Sequence, residues 1–568
     1  MAAPRLAFGP GMRRLTQFLG PPEERWEMLL GLALVVGLGS GASAVGLHVS
    51  VHALFGLLEP HRGGALAVIL PALGAVAGVA VVAHLFREPP GHGVPDVIRA
   101  VCRQGGRMRA RSIFSRWVGS LLNVSSGGSA GLEGPIVFTG AAIGSTVGGR
   151  LGLDDRRRSV LLACGVAGGI SGIFNAPLTG MVFATEVVLA EWSALSIVPV
   201  IVSAVAAAEV SRLILPGQQP FPSAPFGMGA ADLVACVGLG VICGFASAGM
   251  TRSIALFHRL LARLRGSRYL APALAGLAVG AIGLVAPLSI GDGYPTAQSA
   301  IQNQLEGGLF FALGLALAKI LASALTLGSG APGGVFAPCL ATGAVLGAAY
   351  FRAAGQLLPD ASLIKEGSFA LVGMSGLVAG VMQAPLTGIL LVMEVTRSYE
   401  IVLPLMIVSV LSLLVARRFE RWSMYTRELA EQGELLRPGT DRRILADVSV
   451  RESLDAEVTT VREELSLTAF ARVVKDSRRN HFPVLAGDGE TLVGMLDLAT
   501  VRQLLLDPEV ARVTLVGTMM TRAPERVQAA SSLAQAMEVF EETGAWVLPV
   551  VDGTRFVGLI SRSTLFDV

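Results

Sequence analysis

Residues 127–135 read Gly-Gly-Ser-Ala-Gly-Leu-Glu-Gly-Pro, and residues 327–335 read Leu-Gly-Ser-Gly-Ala-Pro-Gly-Gly-Val. Both stretches are rich in glycine, and each one directly precedes a long apolar segment. Glycine lets a backbone approach a ligand closely, and the N-terminus of a helix presents free N–H groups with a partial positive charge. Two such loops that face each other would form an anion-binding site without any lysine or arginine.

Two other blocks recur in the same order as these loops. Gly-His-Gly-Val-Pro at residues 91–95 returns as Gly-Asp-Gly-Tyr-Pro at residues 291–295. Ala-Pro-Leu-Thr-Gly at residues 176–180 returns unchanged at residues 384–388. Three repeated blocks in one order indicate an internal duplication, which is typical of transport proteins with a substrate site between the two repeats.

The composition predicts that the duplicated part lies in a membrane. Hydrophobic residues make up 52% of the 568 residues and charged residues only 15%, whereas soluble domains carry about 25% charge. Several apolar segments approach the length that crosses a bilayer, and glycine and proline interrupt others. We therefore predict an all-α polytopic membrane protein with broken helices, whose duplicated halves are residues 27–215 and 230–428. The net charge of +3 does not suggest a nucleic-acid partner.

The end of the chain has a different composition. Of the last 128 residues, 33 are charged, and only seven of the 69 glycines lie there. His-Phe-Pro-Val at residues 481–484 is similar to Val-Leu-Pro-Val at residues 547–550, and an amphipathic helix pattern precedes each, which predicts two small α/β units. The predicted ranges are a cytoplasmic N-terminus at 1–26, the membrane domain at 27–428, a linker at 429–446 and tail units at 447–506 and 514–568.

Glu133 is an acid within the first glycine loop, and the aligned position of the second loop holds Gly333. An acid at an anion site repels the anion or takes its place, and protonation or outward rotation of the side chain would clear the path. The residues alone leave two roles open for Glu133. One is a gate for anions, and the other is an acid that interacts favourably with the helix dipole.

The sequence offers little support for other function classes. The five cysteines form no Cys-x-x-Cys pair, so we expect neither a disulfide framework nor a metal site. The seven histidines are scattered and form no His-Glu-x-x-His motif, which argues against an intramembrane metalloprotease and against an enzyme in general. A cation channel would favour several acids along its pore, but acids are sparse here. We expect no cofactor.

Four features occur in the order and spacing of the CLC family of chloride channels and chloride/proton antiporters, which the chain resembles. They are the blocks at residues 91–95, 131–135 (Gly-Leu-Glu-Gly-Pro) and 334–338 (Gly-Val-Phe-Ala-Pro), and Tyr425. The tail resembles the tandem CBS domains that many members carry. The resemblance implies a homodimer with one pathway per subunit for chloride or a similar small anion, and halves of inverted topology. It also implies an integral protein of the plasma (inner) membrane with both termini cytoplasmic.

The resemblance assigns roles to individual residues. Glu133 is the expected gating glutamate, and Tyr425 is expected to supply an inner hydroxyl ligand. His92 stands where the family has a serine, so an imidazole either donates to the anion or turns aside while backbone amides bind it. The preference among chloride, nitrate and fluoride stays open for this reason. The residues expected to bind the anion are His92, Gly93, Leu132, Gly134, Val335, Phe336 and Tyr425.

The position of the proton relay differs from the pattern of the antiporters in the family. The resemblance places this relay at Val187, and valine cannot carry a proton. This favours passive conduction, while a chloride/proton antiporter with another proton route remains the alternative. Glu186 and Glu394 occupy equivalent places in the two halves, so we interpret both as structural.

The tail departs from the nucleotide-binding pattern of its domain family. Thr500 and Thr564 stand where nucleotide-binding CBS domains often have an aspartate. Binding of an adenine nucleotide is therefore doubtful, and we expect the tail to dimerise or to couple to the membrane domain.

Overall fold

The computed structural model of the chain contains two compact units, Met1–Leu435 and Leu436–Val568. It describes residues 26–89, 91–216, 221, 229–264, 268–357, 365–432, 434, 448–455, 458–477, 479–502 and 504–562. Most of the predicted N-terminal range 1–26 and most of the predicted linker 429–446 therefore lie outside the described residues.

Eight α-helices form the first half of the larger unit in the part of the chain that the structure describes. They are α1 (Trp26–Leu58), α2 (Ala65–Ala80), α3 (Val94–Gln104), α4 (Ser112–Ser125), α5 (Glu133–Arg150), α6 (Asp155–Phe174), α7 (Pro177–Phe183) and α8 (Ala194–Ile214). Wider π-helical turns extend α2 over Val81–Leu85 and α7 over Ala184–Leu189. A short 3₁₀ turn at Glu59–His61 follows α1.

The second half repeats this order of helices. It contains α9 (Ala230–Ala262), α10 (Leu270–Val285), α11 (Tyr294–Ile301), α12 (Leu309–Gly328), α13 (Phe336–Leu357), α14 (Glu366–Met382), α15 (Pro385–Thr396) and α16 (Val402–Phe419). A 3₁₀ turn at Pro287–Ser289 precedes α11, and the short helix α17 (Arg427–Glu431) follows the duplicated part. The matching order confirms the predicted duplication.

The repeated blocks mark equivalent helix boundaries in the two halves. Gly93 (φ 86°) precedes α3 and Gly293 (φ 92°) precedes α11, so both positions use a backbone conformation that favours glycine. A proline lies in the first turn of each of these helices, where its missing N–H costs little. Asn175 and Gln383 adopt the left-handed conformation before the two Ala-Pro blocks, so both halves end a helix and start another there.

Close helix crossings explain part of the high glycine content. A Cβ atom at Gly140 of α5 would lie 2.0 Å from the carbonyl oxygen of Gly165 on α6. The equivalent crossing of α13 and α14 has a corresponding distance of 2.4 Å, between Gly343 and Gly373. Any side chain would force these helix pairs apart, so glycine is required on both halves for the same packing reason.

Eight helices among the described residues are long and apolar enough to cross a membrane. Most expose apolar side chains on one face, as Leu34 and Val35 of α1 do. In contrast, α6 and α13 of this set are buried along most of their length, and so are the neighbouring helices α5 and α14 outside it. Exposed apolar faces around a buried apolar centre are the arrangement expected of an integral membrane protein.

The smaller unit contains two β-sheets with short helices. Its strands are β1 (Val461–Arg462), β2 (His481–Leu485), β3 (Leu492–Asp497), β4 (Thr521–Arg522), β5 (Val527–Gln528), β6 (Val547–Asp552) and β7 (Arg555–Ser561). Its helices are α18 (Val450–Ser453), α19 (Leu467–Asp476), α20 (Leu498–Val501), α21 (Pro508–Val513), α22 (Val516–Met519) and α23 (Leu533–Thr543), with a 3₁₀ turn at Leu504–Leu506. The sheet orders are β1-β2-β3-β4 and β5-β6-β7.

The two cores of the tail exchange short segments across the predicted ranges 447–506 and 514–568. Val450 packs into the core of the second sheet. Val516 and Met520 pack into the core of the first sheet, because β4 continues that sheet by pairing with β3. Each α/β core is therefore completed by residues that the repeat pattern assigned to the other one.

Candidate functional site

The two glycine loops meet at the centre of the larger unit. The N–H of Gly131 donates to the carbonyl of Gly334, and the N–H of Gly334 donates to the carbonyl of Gly131, both at 2.7 Å. This reciprocal pair joins the first half of the chain to the second. It places the N-terminal ends of α5 and α13 beside each other.

Both helices begin at this junction and present backbone N–H groups there. The first four N–H groups of an α-helix have no acceptor within the helix, and here the third residue of each is a proline, Pro135 or Pro338. The amides just before these prolines belong to Leu132, Glu133 and Gly134 in one loop and to Val335, Phe336 and Ala337 in the other. The arrangement offers an anion partial positive charge from two helix ends.

Glu133 fills this junction. Its side chain is buried, with only 1% of the residue exposed, and its Oε1 accepts a hydrogen bond of 2.8 Å from the hydroxyl of Tyr294. Its Oε2 is buried without a side-chain donor among the described residues, and the backbone amides of Glu133 and Ala337 interact with the carboxylate. A Cβ atom built on Gly131 would lie only 2.0 Å from Oε2, so the carboxylate lies over a glycine of its own loop.

The loop that contains His92 and Gly93 approaches the same junction. The carbonyl oxygen of His92 lies 3.1 Å from a Cβ atom built on Gly134, and a Cβ atom on Gly93 would lie 3.0–3.1 Å from the side chain of Phe138. The Nδ1 atom of His92 is buried and has no hydrogen-bond partner among the described residues. The structure therefore brings the backbone of His92 to α5 and leaves one imidazole nitrogen available.

Aromatic rings connect Tyr425 to the carboxylate of Glu133. Ring centroids are 6.4 Å apart between Tyr425 and Phe183, and 6.2 Å between Phe183 and Phe336. Phe174 continues the row, with centroids 5.4 Å from Phe336 and 6.5 Å from Tyr294. The predicted residues Phe336 and Tyr425 thus belong to one buried apolar wall.

Sequence reasoning missed three members of this site, which are Phe174, Phe183 and Tyr294. Tyr294 lies in the repeated block at 291–295, opposite Val94 of the first copy. The replacement of an aliphatic residue by one with a hydroxyl was a signal that this block differs in function between the halves.

Val187 is a buried aliphatic residue in the π-helical turn after α7, with 5% of its surface exposed. It packs in the main apolar core of the larger unit. The structure therefore shows no titratable side chain at this predicted position.

Glu186 and Glu394 cap the first turn of each other's helix. The carboxylate of Glu186 accepts hydrogen bonds from the amides of Leu386 (3.2 Å) and Thr387 (2.9 Å) on α15. The carboxylate of Glu394 accepts from the amides of Leu178 (2.9 Å) and Thr179 (2.7 Å) on α7. Each also accepts from the threonine hydroxyl, at 2.7 Å and 2.6 Å. The exchange indicates an approximate two-fold relation between the halves.

Of the two tail positions singled out for nucleotide binding, only one lies in the described part of the chain. Thr500 is exposed on α20, and Thr564 lies outside the described residues.

Comparison with known families gives two matches along the chain. The family model for voltage gated chloride channels matches residues 72–417, and the model for the CBS domain matches residues 516–568.

Relatives of the membrane domain are found among bacterial proteins. The chain is 33% identical over 369 residues to a ClcB-like chloride channel protein of Ralstonia nicotianae. This alignment covers 64% of this chain and 85% of the relative. It is 32% identical over 383 residues to the H(+)/Cl(−) exchange transporter ClcA of Salmonella agona. This second alignment covers 64% of this chain and 78% of the relative.

Solved structures share the fold. A slow cyanobacterial Cl−/H+ antiporter matches with a TM-score of 0.64 and 25% identity, over 71% of this chain and 97% of that one. A eukaryotic CLC transporter matches with a TM-score of 0.71 and 22% identity, over 94% of this chain and 97% of that one.

Proposed function

Because the chain belongs to the voltage-gated chloride channel (CLC) family, we propose that it conducts chloride or a similar small anion through the junction of its two glycine loops. The observation that supports this proposal most is the reciprocal pairing of Gly131 and Gly334, which places two helix N-termini beside one buried carboxylate. Backbone amides hold an anion without a full positive charge, so the anion can also leave, as conduction requires.

Glu133 acts as the gate in this proposal. Its carboxylate occupies the place where the amides of α5 and α13 would bind an anion, so an anion cannot occupy this place at the same time. Rotation of the side chain, or its protonation, removes the competing negative charge and lets an anion take its place. The anion then contacts the amides of Leu132, Gly134, Val335 and Phe336, with Gly93, His92 and Tyr425 further along the pathway.

We favour a channel over an antiporter because Val187 cannot relay protons. A chloride/proton antiporter with another proton route is the second candidate, and it is supported by the ClcA relatives, which are named exchange transporters. We further propose that the protein is a homodimer of the plasma (inner) membrane with cytoplasmic termini. The tail serves dimerisation or coupling rather than nucleotide binding, and no metal or other cofactor takes part.

Anion efflux from proteoliposomes with simultaneous pH recording tests the function. We expect chloride efflux from vesicles with the full-length protein and no stoichiometric proton movement. Replacing chloride with nitrate or fluoride in the same assay tests the preference that His92 leaves open. Proton uptake driven by chloride would refute the channel and support the antiporter, and efflux equal to that of protein-free vesicles would refute both.

The gate is tested with Glu133→Ala in the same assay. We expect the chloride flux to rise about tenfold. This ratio corresponds to a change of about 1.4 kcal/mol in the free energy of placing an anion in the site. Glu209→Ala is a matched control, because Glu209 is an exposed helical acid paired with Arg212 at 3.0 Å. An unchanged flux in Glu133→Ala would remove the gate assignment.

Introducing an acid at Val187 tests the reason for favouring a channel. If the missing relay is what prevents exchange, Val187→Glu should add proton movement coupled to chloride. Val188→Glu is the control, because Val188 is buried in the same π-helical turn. Chloride-coupled protons in both variants, or in the wild type, would show that Val187 is not the deciding position.

A further inference from the structure

The hydroxyl of Tyr294 holds the carboxylate of Glu133 from the other half of the chain. The two residues are 161 positions apart in sequence, and their oxygen atoms are 2.8 Å apart. The backbone amides of Glu133 and Ala337 also interact with this carboxylate, and the Tyr294 hydroxyl is the side-chain donor that the described residues offer it.

Tyr294 is itself held in a fixed position. It is the first residue of α11 and follows Gly293, whose φ is 92°, and its amide donates to Oδ1 of Asp292 at 3.1 Å. Its ring packs against Phe174, with centroids 6.5 Å apart, and against Phe221, with centroids 5.7 Å apart. A tyrosine has two side-chain torsions, so packing on two rings leaves the hydroxyl little freedom to follow a moving carboxylate.

The duplication shows that this contact belongs to one half alone. Val94 occupies the equivalent place in the first half and has no hydroxyl, and Gly333 is the equivalent of Glu133 and has no carboxylate. The hydrogen bond is therefore not needed to build the shared fold. The second half instead supplies the Tyr294 hydroxyl, which donates to Glu133, the one acidic residue in the two glycine loops.

We propose that Tyr294 is a positioning residue that latches the Glu133 carboxylate in the place of the anion, and thereby sets the anion concentration that displaces it. The proposal rests on the proposed function, since it concerns the same site. A hydrogen bond to a charged group is among the stronger ones in proteins. Its removal should make the carboxylate a weaker competitor without altering the pathway behind it.

Chloride efflux at a series of chloride concentrations tests the latch in Tyr294→Phe. We expect the half-saturating chloride concentration to fall about tenfold while the maximal flux changes little, because one charge-assisted hydrogen bond is lost. In the Glu133→Ala background, Tyr294→Phe should cause no further shift. Tyr350→Phe is the matched control, because its hydroxyl donates at 2.8 Å to the carbonyl of Ala235 and lies in α13.

The outcomes separate the latch from a purely structural role. If the half-saturating concentration is unchanged in Tyr294→Phe, or if it shifts equally in the Glu133→Ala background, the latch is refuted while chloride conduction stands. If Tyr350→Phe causes the same shift as Tyr294→Phe, loss of any hydrogen-bonded tyrosine hydroxyl explains the result and the latch is again refuted.

Thermal unfolding of the detergent-solubilised protein in chloride gives a readout that does not depend on transport. A bound anion stabilises the folded state, and the Tm begins to rise where the chloride concentration reaches the dissociation constant. We expect this onset concentration to fall about tenfold in Tyr294→Phe. Absent flux in the wild type would refute conduction, and the same fall in the onset concentration would then still support the latch. An unchanged onset concentration would refute the latch by itself.

Discussion

Gly131 determines how much space the Glu133 carboxylate has. An added Cβ would lie 2.0 Å from Oε2 of Glu133 and 3.0 Å from Cβ of Ala337. The closer atom is the end of a flexible side chain, so the carboxylate can rotate away rather than strain the backbone. We therefore predict that Gly131→Ala displaces the Glu133 carboxylate. Its rate of chloride efflux should lie within about threefold of the rate of Glu133→Ala, because both changes take the same negative charge out of the anion site.

Gly334 provides the control for this prediction, because it is the hydrogen-bonded partner of Gly131 in the second half. A Cβ atom there would lie 2.7 Å from the backbone nitrogen of Gly134, and a backbone atom at a helix N-terminus cannot rotate away. Gly334→Ala should therefore lower the Tm or the yield of folded protein. Equal behaviour of the two variants would contradict the steric argument for the gate.

The sequence predicted the position of Glu133 but not its partner. The repeat identified Glu133 as an acid that the second half lacks, and the adjacent glycine loops indicated an anion site. The contact with Tyr294 could not be predicted, because it depends on how two segments 161 residues apart meet in space. Similarly, nothing in the sequence indicates that Nδ1 of His92 is buried without a hydrogen-bond partner among the described residues.

At the scale of elements, the exchange of Glu186 and Glu394 between the halves leads to a stability prediction. Each carboxylate accepts three hydrogen bonds at the first turn of a helix from the other half. We predict that Glu186→Ala and Glu394→Ala each lower the free energy of unfolding by about 1–3 kcal/mol, because amides and a hydroxyl lose their acceptor. Thermal unfolding in detergent measures both, and Thr179→Ala and Thr387→Ala should have smaller effects.

The comparison between these two glutamates also distinguishes their role from proton relay. A structural role predicts similar losses of stability in both variants. Added to Val187→Glu, the variant in which we expect proton movement, Glu186→Ala and Glu394→Ala should leave the same ratio of protons to chloride. A loss of proton movement with Glu186→Ala alone would contradict this interpretation. The sequence predicted the shared role from symmetry, but the partner helices became evident only in the structure.

In the tail, the turn between β2 and β3 depends on the ionised form of Asp488. Oδ1 accepts from the amides of Glu490 (2.9 Å) and Thr491 (3.0 Å), and Oδ2 accepts from the hydroxyl of Thr491 (2.5 Å). These hydrogen bonds lower the pKa of Asp488 to about 2. A depressed carboxyl pKa stabilises the folded state above the unfolded pKa of about 4, and the contribution is lost as pH falls toward 2.

We therefore predict that Asp488→Ala lowers the Tm of the tail by the same amount at pH 6 and pH 8. The difference from the wild type should shrink below about pH 4, since the unfolded chain then binds a proton that Asp488 in the folded turn does not. Thermal unfolding of the full-length protein, followed by the signal of its β-structure, measures this. A difference that changes between pH 6 and pH 8 would show that another group controls the turn.

At the scale of the whole molecule, the proposed site lies entirely within the larger unit. The residues proposed for anion binding and gating lie between His92 and Tyr425, within the unit Met1–Leu435. Arg99 secures the end of this unit, because it pairs with Asp96 at 2.7 Å on α3 and with Glu434 at 2.6 Å after Tyr425. The segment that follows Tyr425 is thus fixed to the helix that follows His92.

This independence gives a prediction about the tail. A chain that ends at Leu435 should fold and conduct chloride within about twofold of the full-length rate, because it keeps the paired loops, the Glu133–Tyr294 contact and the Arg99 ion pairs. Efflux from proteoliposomes, with the amount of reconstituted protein matched, measures the rate. A truncated protein that keeps its Tm but loses efflux would show that the tail is part of the conduction machinery rather than a regulator of it.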